Sequence, residues 1–334
     1  MEHSPDMAEE IWAVTTGEAG MANQARGLAE AVARRTGWPV AEKTVGIRRP
    51  WRSLPMHWIP RPQDKLTPDS DPIVPPWPRL LISCGRRSAA VSMAVRRASQ
   101  GGCLTVHVQD PLIPPRHFDL VVPPRHDGLV GRNVLPTRGA IHHVTPEKLS
   151  EAAHVFRERF ADLPRPWIGV LLGGSNRTMT LTPEIARHIG EQLARAARES
   201  GGSLLVTASR RTGEANSRAL ASAIANVPHR LGNGEEANPY LGILGLADHL
   251  VVTGDSVSMV SEAASTGKPL YIIDFGRYSK RLERFHAGLR EEGVTRPFDG
   301  HLAHWRYEPV NDTEQVAAAI VARLDGSGPQ STSR

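Results

Sequence analysis

The chain has 334 residues, 40% of them hydrophobic and 22% charged, a globular composition long enough for two α/β domains of ordinary size. Its net charge of +5, largely arginine, suits phosphate, carboxylate and anionic surfaces, while helix-turn-helix, finger and aromatic–basic signatures of nucleic-acid binding are missing. No apolar run approaches the ~18–20 residues of a membrane helix, and the two cysteines, Cys84 and Cys103, form neither a disulfide framework nor a metal or redox spacing.

The acidic start, MEHSPDMAEE, is expected to be a frayed tail and not a signal peptide. The first strand is predicted over 11–17, followed by an Ala-rich helix over 23–37 closed by Gly37. Residues 38–78 hold four of the seven Trp among many Pro and Arg. The stretch RRPWRSLPMHWIP mixes cations with interfacial aromatics and can rest on an anionic membrane surface through residues 48–58. A Pro-broken segment packing its Trp on a sheet would read the same way. Strands then follow over 79–85, 103–110 and 118–124, with a helix over 88–99 between the first two. Short buried strands alternating with helices predict a parallel sheet with helices on both faces.

The pattern restarts after a helix over 149–163 and a PRPW linker. Strands are predicted over 168–174, 203–209, 249–255 and 269–274, with helices over 182–201, 214–226 and 238–247. Thr182 and Pro183 open the long helix in capping order. Residues 311–326 read as an Asp-capped helix with a polar, disordered end. The expected organisation is a first Rossmann-like domain over 8–163, a second over 164–305, and a terminal helix and tail over 306–334.

Polar groups collect where strands end, the edge at which open α/β sheets bind ligands. In TGDSVSMVSEAASTGKP, Thr253, Asp255, Ser256 and Ser258 surround a helix start whose N–H groups attract phosphate oxygens. Glu262 shares a helix face with Ser258 and could accept both hydroxyls of a ribose. In LLGGSNRTMTLT, Gly173 and Gly174 free the backbone to converge on an anion, beside Ser175, Asn176 and Arg177. VTASRRT adds Ser209, Arg210 and Arg211. Each stretch alone could be an ordinary cap or solvated turn, but three in one domain point to a shared ligand crevice.

The first domain ends its strands in the same manner. Gly17, Gly20, Asn23 and Gln24 follow the first strand, Gly85 and Arg86 the second, and Gln109 with Asp110 the third. Asp110 and Glu18 are candidate general bases, although an Asp before Pro also initiates turns. The DSD at 69–71 reads as a solvated loop, and no metal-ligand spacing or nucleophile elbow is present.

Six stretches together carry a resemblance: GMANQARGLAEA, VHVQDP, PPRHDGLVGRNVLPTRGAIHHVTPE, GVLLGGSNRTMTL, TASRRT and NPYLGILGLADHLVVTGDSVSMVSEAASTGKPLYI. Spread over residues 11–300, they resemble the mitochondrial-fission "elongated mitochondria" (ELM) family of plants and its bacterial relatives. The nucleotide-sugar site of GT-B glycosyltransferases is similar in kind. The resemblance implies two Rossmann-like domains facing across a cleft, with nucleotide on the second. Ser175 and Arg177 would then approach a diphosphate, Ser256 and Ser258 would cap it, Glu262 would take the ribose, and Asn238 to Tyr240 would lie near the base. It carries over no settled activity for bacterial members, and the fission role belongs to the plant branch.

The expectation is a cytoplasmic enzyme acting on a nucleotide-diphosphate sugar without a metal or cofactor, peripheral to the inner face of the membrane. A GT-B-type glycosyltransferase of envelope polysaccharide or lipid synthesis is the first reading. A hydrolase, pyrophosphatase or epimerase on the same ligand is the second, and a non-catalytic recruitment protein the third.

Overall fold

A computed structural model describes residues 6–232 and 238–326. In chain order its elements are β1 (Met7–Thr15), α1 (Ala19–Thr36), β2 (Val40–Thr44), β3 (Trp77–Cys84), α2 (Ser88–Ala98), β4 (Leu104–Val108), β5 (Leu120–Val122), α3 (Pro146–Phe160) and β6 (Trp167–Leu172). There follow α4 (Pro183–Ser200), β7 (Ser203–Ala208), α5 (Glu214–Ile224), β8 (His229–Leu231), α6 (Tyr240–Leu246), β9 (His249–Thr253), α7 (Val257–Ala264), β10 (Leu270–Ile273), α8 (Lys280–Glu291), β11 (Thr295–Pro297) and α9 (Asp312–Leu324).

The chain divides into two compact units, Met1–His143 with Asn311–Arg334, and Val144–Val310. In the first, the parallel sheet runs β2-β1-β3-β4-β5. Successive residues of β1 face opposite sides, as the strand period requires. Ile11 and Ala13 join α1 and α9 in one apolar core, and Trp12 and Val14 join α2 in another. Helices therefore cover both faces, as the near-continuous apolar strands predict.

In the second unit the sheet runs β11-β10-β9-β6-β7-β8, again parallel throughout. Numbered from β6, this is the doubly-wound order 3-2-1-4-5-6, whose direction reverses between β6 and β9. A single core runs through the unit, with Val170, Leu204, Leu250 and Leu270 all fully buried.

Several expectations are corrected. The first strand begins at Met7, not residue 11, because Met7 and Ala8 pair with Trp77 and Pro78. The Trp-rich segment contributes β2, which extends the sheet edge. Trp77 is buried and Trp51 packs on the α2-side core, while Trp58 stands exposed. The division falls at His143/Val144, ahead of α3, where the sequence reading put it after residue 163. Gly242 and Gly245 are the physical reason, since a Cβ on either would strike Phe156 or the Leu149 carbonyl of α3. Those glycines let α3 lie directly on α6.

The terminal helix belongs with the first unit. Val316, Ala317 and Ile320 of α9 share a core with α1. Its N-cap is Asn311, not Asp312. The Asp312 carboxylate instead accepts the N–H groups of Arg138 and Gly139 and pairs with the Arg138 guanidinium at 3.1 Å. Residues 1–5 and 327–334, part of the two expected tails, lie outside the described residues. Among the described residues, no helix is long and apolar enough to cross a membrane.

Candidate functional site

The order of the second sheet places the carboxyl ends of β6, β7 and β9 side by side at the switch point. The turns beyond them are tied together by hydrogen bonds. Gly173 N–H donates to Thr253 Oγ1 at 2.7 Å, and Gly174 N–H to Asp255 Oδ2 at 3.1 Å. Arg211 reaches the same Asp255 oxygen at 2.9 Å. The Thr212 hydroxyl donates to the Gly173 carbonyl, and Ser209 N–H to the Leu172 carbonyl at 2.8 Å. Both glycines are needed for this closeness, because a Cβ on Gly173 would overlap the Asp255 carboxylate and one on Gly174 the Arg211 carbonyl. The other Asp255 oxygen, Oδ1, is buried with no protein partner among the described residues.

The helix start beyond β9 behaves as its residues suggest. Ser256, not Asp255, is the N-cap of α7, its hydroxyl accepting from Met259 N–H. That frees Asp255 to join the turns. Ser258 is half-buried in the first turn of α7. Glu262, one turn on, is buried and accepts the hydroxyl hydrogen of Tyr240. Burial pushes the Glu262 carboxyl up to about 7, and the Tyr240 bond draws it partly back. Burial and the neighbouring carboxylate raise the Tyr240 phenol well above its usual range. Asn238 Oδ1 accepts Tyr240 N–H at 3.1 Å, so Asn238 and Tyr240 form one entry turn to α6.

Other predicted residues fall into two groups. Ser175 and Asn176 shape the glycine turn from within. Ser175 Oγ accepts Leu181 N–H at 3.0 Å, and Asn176 Oδ1 accepts the N–H groups of Thr178 and Met179 at 2.9 and 3.0 Å. Arg177 and Arg210 are exposed on the same turns. They supply positive charge and no part of the hydrogen-bonded frame. Ser209 Oγ accepts Arg211 N–H at 3.2 Å, which orients Arg211 toward Asp255.

In the first unit, strand ends also gather, with the reversal of order between β1 and β3. Gly17 and Gly85 have φ of 89° and 93°, and a Cβ on Gly85 would overlap the Met21 sulfur. Gln109 holds φ at 78°, unusual for a side-chain-bearing residue, and its amide donates to the buried Gln24 at 3.3 Å. Asn23 accepts from Arg26 at 3.0 Å, Arg86 is exposed, and a Cβ on Gly20 would meet open space. Asp110 caps its own turn, accepting Leu112 N–H at 2.8 Å, and Glu18 is exposed at the start of α1, accepting the Thr16 hydroxyl. Among the described residues, no cluster of His, Cys, Asp and Glu could hold a metal ion.

Sequence reasoning missed the wall beside β10. The Tyr278 hydroxyl donates to Asp274 and lies against Gly254, where a Cβ would overlap it. His286 of α8 meets the Gly254 carbonyl at 2.8 Å, and burial lowers its pKa. Neither residue sits in a motif, so no local signal marks them. Lys268, in the Gly-Lys-Pro stretch, donates its ammonium hydrogens to the Leu244 and Gly245 carbonyls at the end of α6, both at 2.7 Å.

Residues 19–324 match the family described as mitochondrial fission ELM1. The mitochondrial fission protein ELM1 of Arabidopsis thaliana is 31% identical over 278 residues, covering 75% of this chain and 65% of that protein. The chain thus spans less than two thirds of that relative's length. An uncharacterized protein, RP120, of Rickettsia prowazekii (strain Madrid E) is 25% identical over 300 residues, covering 77% and 80%. Among solved structures, a putative UDP-N-acetylglucosamine 2-epimerase from Listeria monocytogenes aligns with TM-score 0.57 at 12% identity, covering 96% of this chain and 98% of that one. The UDP-GlcNAc 2-epimerase of Methanocaldococcus jannaschii aligns with TM-score 0.53 at 9% identity, covering 93% and 99%. Os79 from O. sativa in complex with UDP aligns with TM-score 0.51 at 12% identity, covering 95% and 91%. At these identities the likeness is one of fold, the GT-B-like pair of Rossmann-like units.

Proposed function

The chain belongs to the mitochondrial fission ELM1 family, and on that premise we propose that it is an enzyme of nucleotide-diphosphate sugars, a GT-B-type glycosyltransferase in envelope polysaccharide or lipid synthesis. One observation carries the reading: the turns beyond β6, β7 and β9 converge at the switch point, where open α/β sheets bind ligands. In this reading the first turn of α7, with Ser256 and Ser258, receives the diphosphate. Exposed Arg177 and Arg210 screen its charge as the bond to the sugar breaks. Glu262 takes the ribose hydroxyls, and the Asn238 to Tyr240 turn lies beside the base. The carboxylate and its Tyr240 partner form a donor–acceptor pair that a ribose diol could enter.

The leaving diphosphate is stabilised by helix N–H groups and arginines, so the reading assigns no step to a metal. Acceptor binding and the general base are assigned to the first unit, through Gly17, Gln24, Gly85 and Gln109, with Glu18 and Asp110 as base candidates. The enzyme would work in the cytoplasm at the inner face of the membrane. One solved structure of similar fold is named a UDP-GlcNAc 2-epimerase, another a putative one, and a third holds UDP, which supports a uridine diphosphate donor.

Titration calorimetry of the full chain with UDP, GDP and their sugars tests the reading. Binding of at least one, lost in Glu262→Ala with folding intact by circular dichroism, is expected. No heat from any of them with folded wild type would sink it. The epimerase names favour a second reading, epimerisation or hydrolysis of the same ligand. Incubating the protein with the bound sugar nucleotide and no acceptor separates the two: an epimer, free sugar or sugar phosphate would select the second.

A further inference from the structure

A basic surface of the first unit lies outside the groups assigned to nucleotide and acceptor. The turn at Met56–Trp58 packs against α2, and its His57 ring stacks on His117 of the Pro115–His117 turn, centroids 6.4 Å apart and planes 17° apart. His117 is held below its usual range by burial, and then by the charges of Arg116, His57, Arg97 and Arg96. Arg96, Arg97 and Arg116 therefore share one neighbourhood with the two imidazole rings. Asp119 is committed to Arg96 at 2.7 Å. Neither Arg97 nor Arg116 has a carboxylate partner among the described residues. Trp58 leans on His57 edge to face at 5.9 Å and is 66% exposed. Leu112, on the loop that leads to Arg116, is 67% exposed. Residues 48–64 carry exposed Arg48, Arg49, Arg52 and Arg61, against one acid, Asp64.

We propose that this surface, built from His57, Trp58, Arg97, Arg116 and His117, docks the protein on an anionic bilayer. The chemistry fits a lipid surface on two counts. Unpaired guanidinium groups answer a layer of phosphate headgroups. An exposed Trp beside them seats its ring at the level where polar and apolar regions of a bilayer meet. The sequence pointed to residues 48–58 alone, while the fold adds Arg97 from α2 and the Pro115–His117 turn. The docking surface is independent of the nucleotide reading, because it uses no residue assigned there.

Co-sedimentation with sucrose-loaded vesicles tests it, using the full-length chain. Vesicles of phosphatidylcholine with phosphatidylglycerol are expected to bind at least tenfold more protein than phosphatidylcholine alone at about 0.1 M salt, falling steeply as salt is raised. Arg97→Glu with Arg116→Glu should abolish that preference, and Trp58→Ala should weaken binding several-fold. Both variants should keep the wild-type circular dichroism spectrum and the wild-type response to UDP. Equal sedimentation with the two vesicle types would overturn the proposal. So would wild-type binding by the double variant, or complete displacement by millimolar inorganic phosphate, which would mark a site for a free anion.

Discussion

Arg211 meets Asp255 at 2.9 Å across the ends of β7 and β9, with the Asp255 side chain fully buried and the Arg211 side chain 44% exposed. The pair holds three turns at once, because the same carboxylate oxygen also accepts Gly174 N–H. Asp255→Ala removes the acceptor of the buried Gly174 N–H and one half of an ion pair whose other half, Arg211, keeps solvent. It should lower stability by about 1–3 kcal/mol, the cost of a buried donor left without a partner. Urea unfolding measures this. A loss under ~0.5 kcal/mol, the range of surface substitutions, would show that the turns stand without the pair.

Glu262 sets a pH dependence with a definite sign. Burial raises its pKa from the usual 4.5 to about 7. Between those values the folded state holds a proton that the unfolded state has released, so stability falls as pH rises through that window. The penalty above pH 7 is roughly 3 kcal/mol by linkage. Glu262→Gln should gain on wild type by about that amount between pH 4.5 and pH 8. Unfolding curves at the two pH values decide it, and parallel behaviour of the two proteins would contradict it. Tyr240→Phe removes a bond that lowers the Glu262 pKa and should move the transition to higher pH. If Glu262 takes a ribose, nucleotide affinity should rise with pH through the same range as the carboxylate ionises.

Two glycines from the candidate sites should respond in opposite directions. A Cβ on Gly174 would overlap the Arg211 backbone carbonyl, which cannot rotate away as a side-chain tip could. Gly174→Ala should cost about 3 kcal/mol, the upper end for overpacking, and disturb ligand binding with it. Gly20 lies in the first turn of α1, and its Cβ would meet nothing within 4 Å. Gly20→Ala should raise stability by about 0.5–1 kcal/mol through helix propensity. Thermal melts of both variants, with calorimetry for Gly174→Ala, check the contrast.

The alternation of apolar strands with capped helices made most of the architecture legible, because burial on both faces leaves a continuous apolar run in each strand. The short strands β8 and β11 escaped, since each has three residues and His229, Arg230, Arg296 and Pro297 mask them. The three polar strand ends of the second unit were legible as a group. What bound them to one another was not, because the Asp255 contacts to Gly174 and Arg211 span 81 and 44 positions of chain and leave no local spacing. Tyr240 was read as a neighbour of the base and not as the partner of Glu262, 22 residues away. Tyr278 and His286 had no motif at all.

Lys268, in the stretch that follows α7, ties that stretch to the end of α6. Burial lowers its pKa to about 8, even though both of its donor bonds at the end of α6 favour the charged form. A helix C-terminus leaves carbonyls without partners, and a cation there also meets the negative end of the helix dipole. Lys268→Met should therefore lower stability by about 1–3 kcal/mol, the cost of orphaning buried carbonyls, while leaving nucleotide affinity within twofold. The wild-type lysine adds a pH signature of its own. Between its folded value near 8 and its usual 10.5, the unfolded chain holds the extra proton. Its contribution to stability thus rises with pH across that window, and the methionine variant should lack this rise. Urea unfolding at pH 7.5 and 10 with a parallel UDP titration tests both halves. A large loss of affinity with stability unchanged would instead place Lys268 in the binding site and the end of α6 under some other cap.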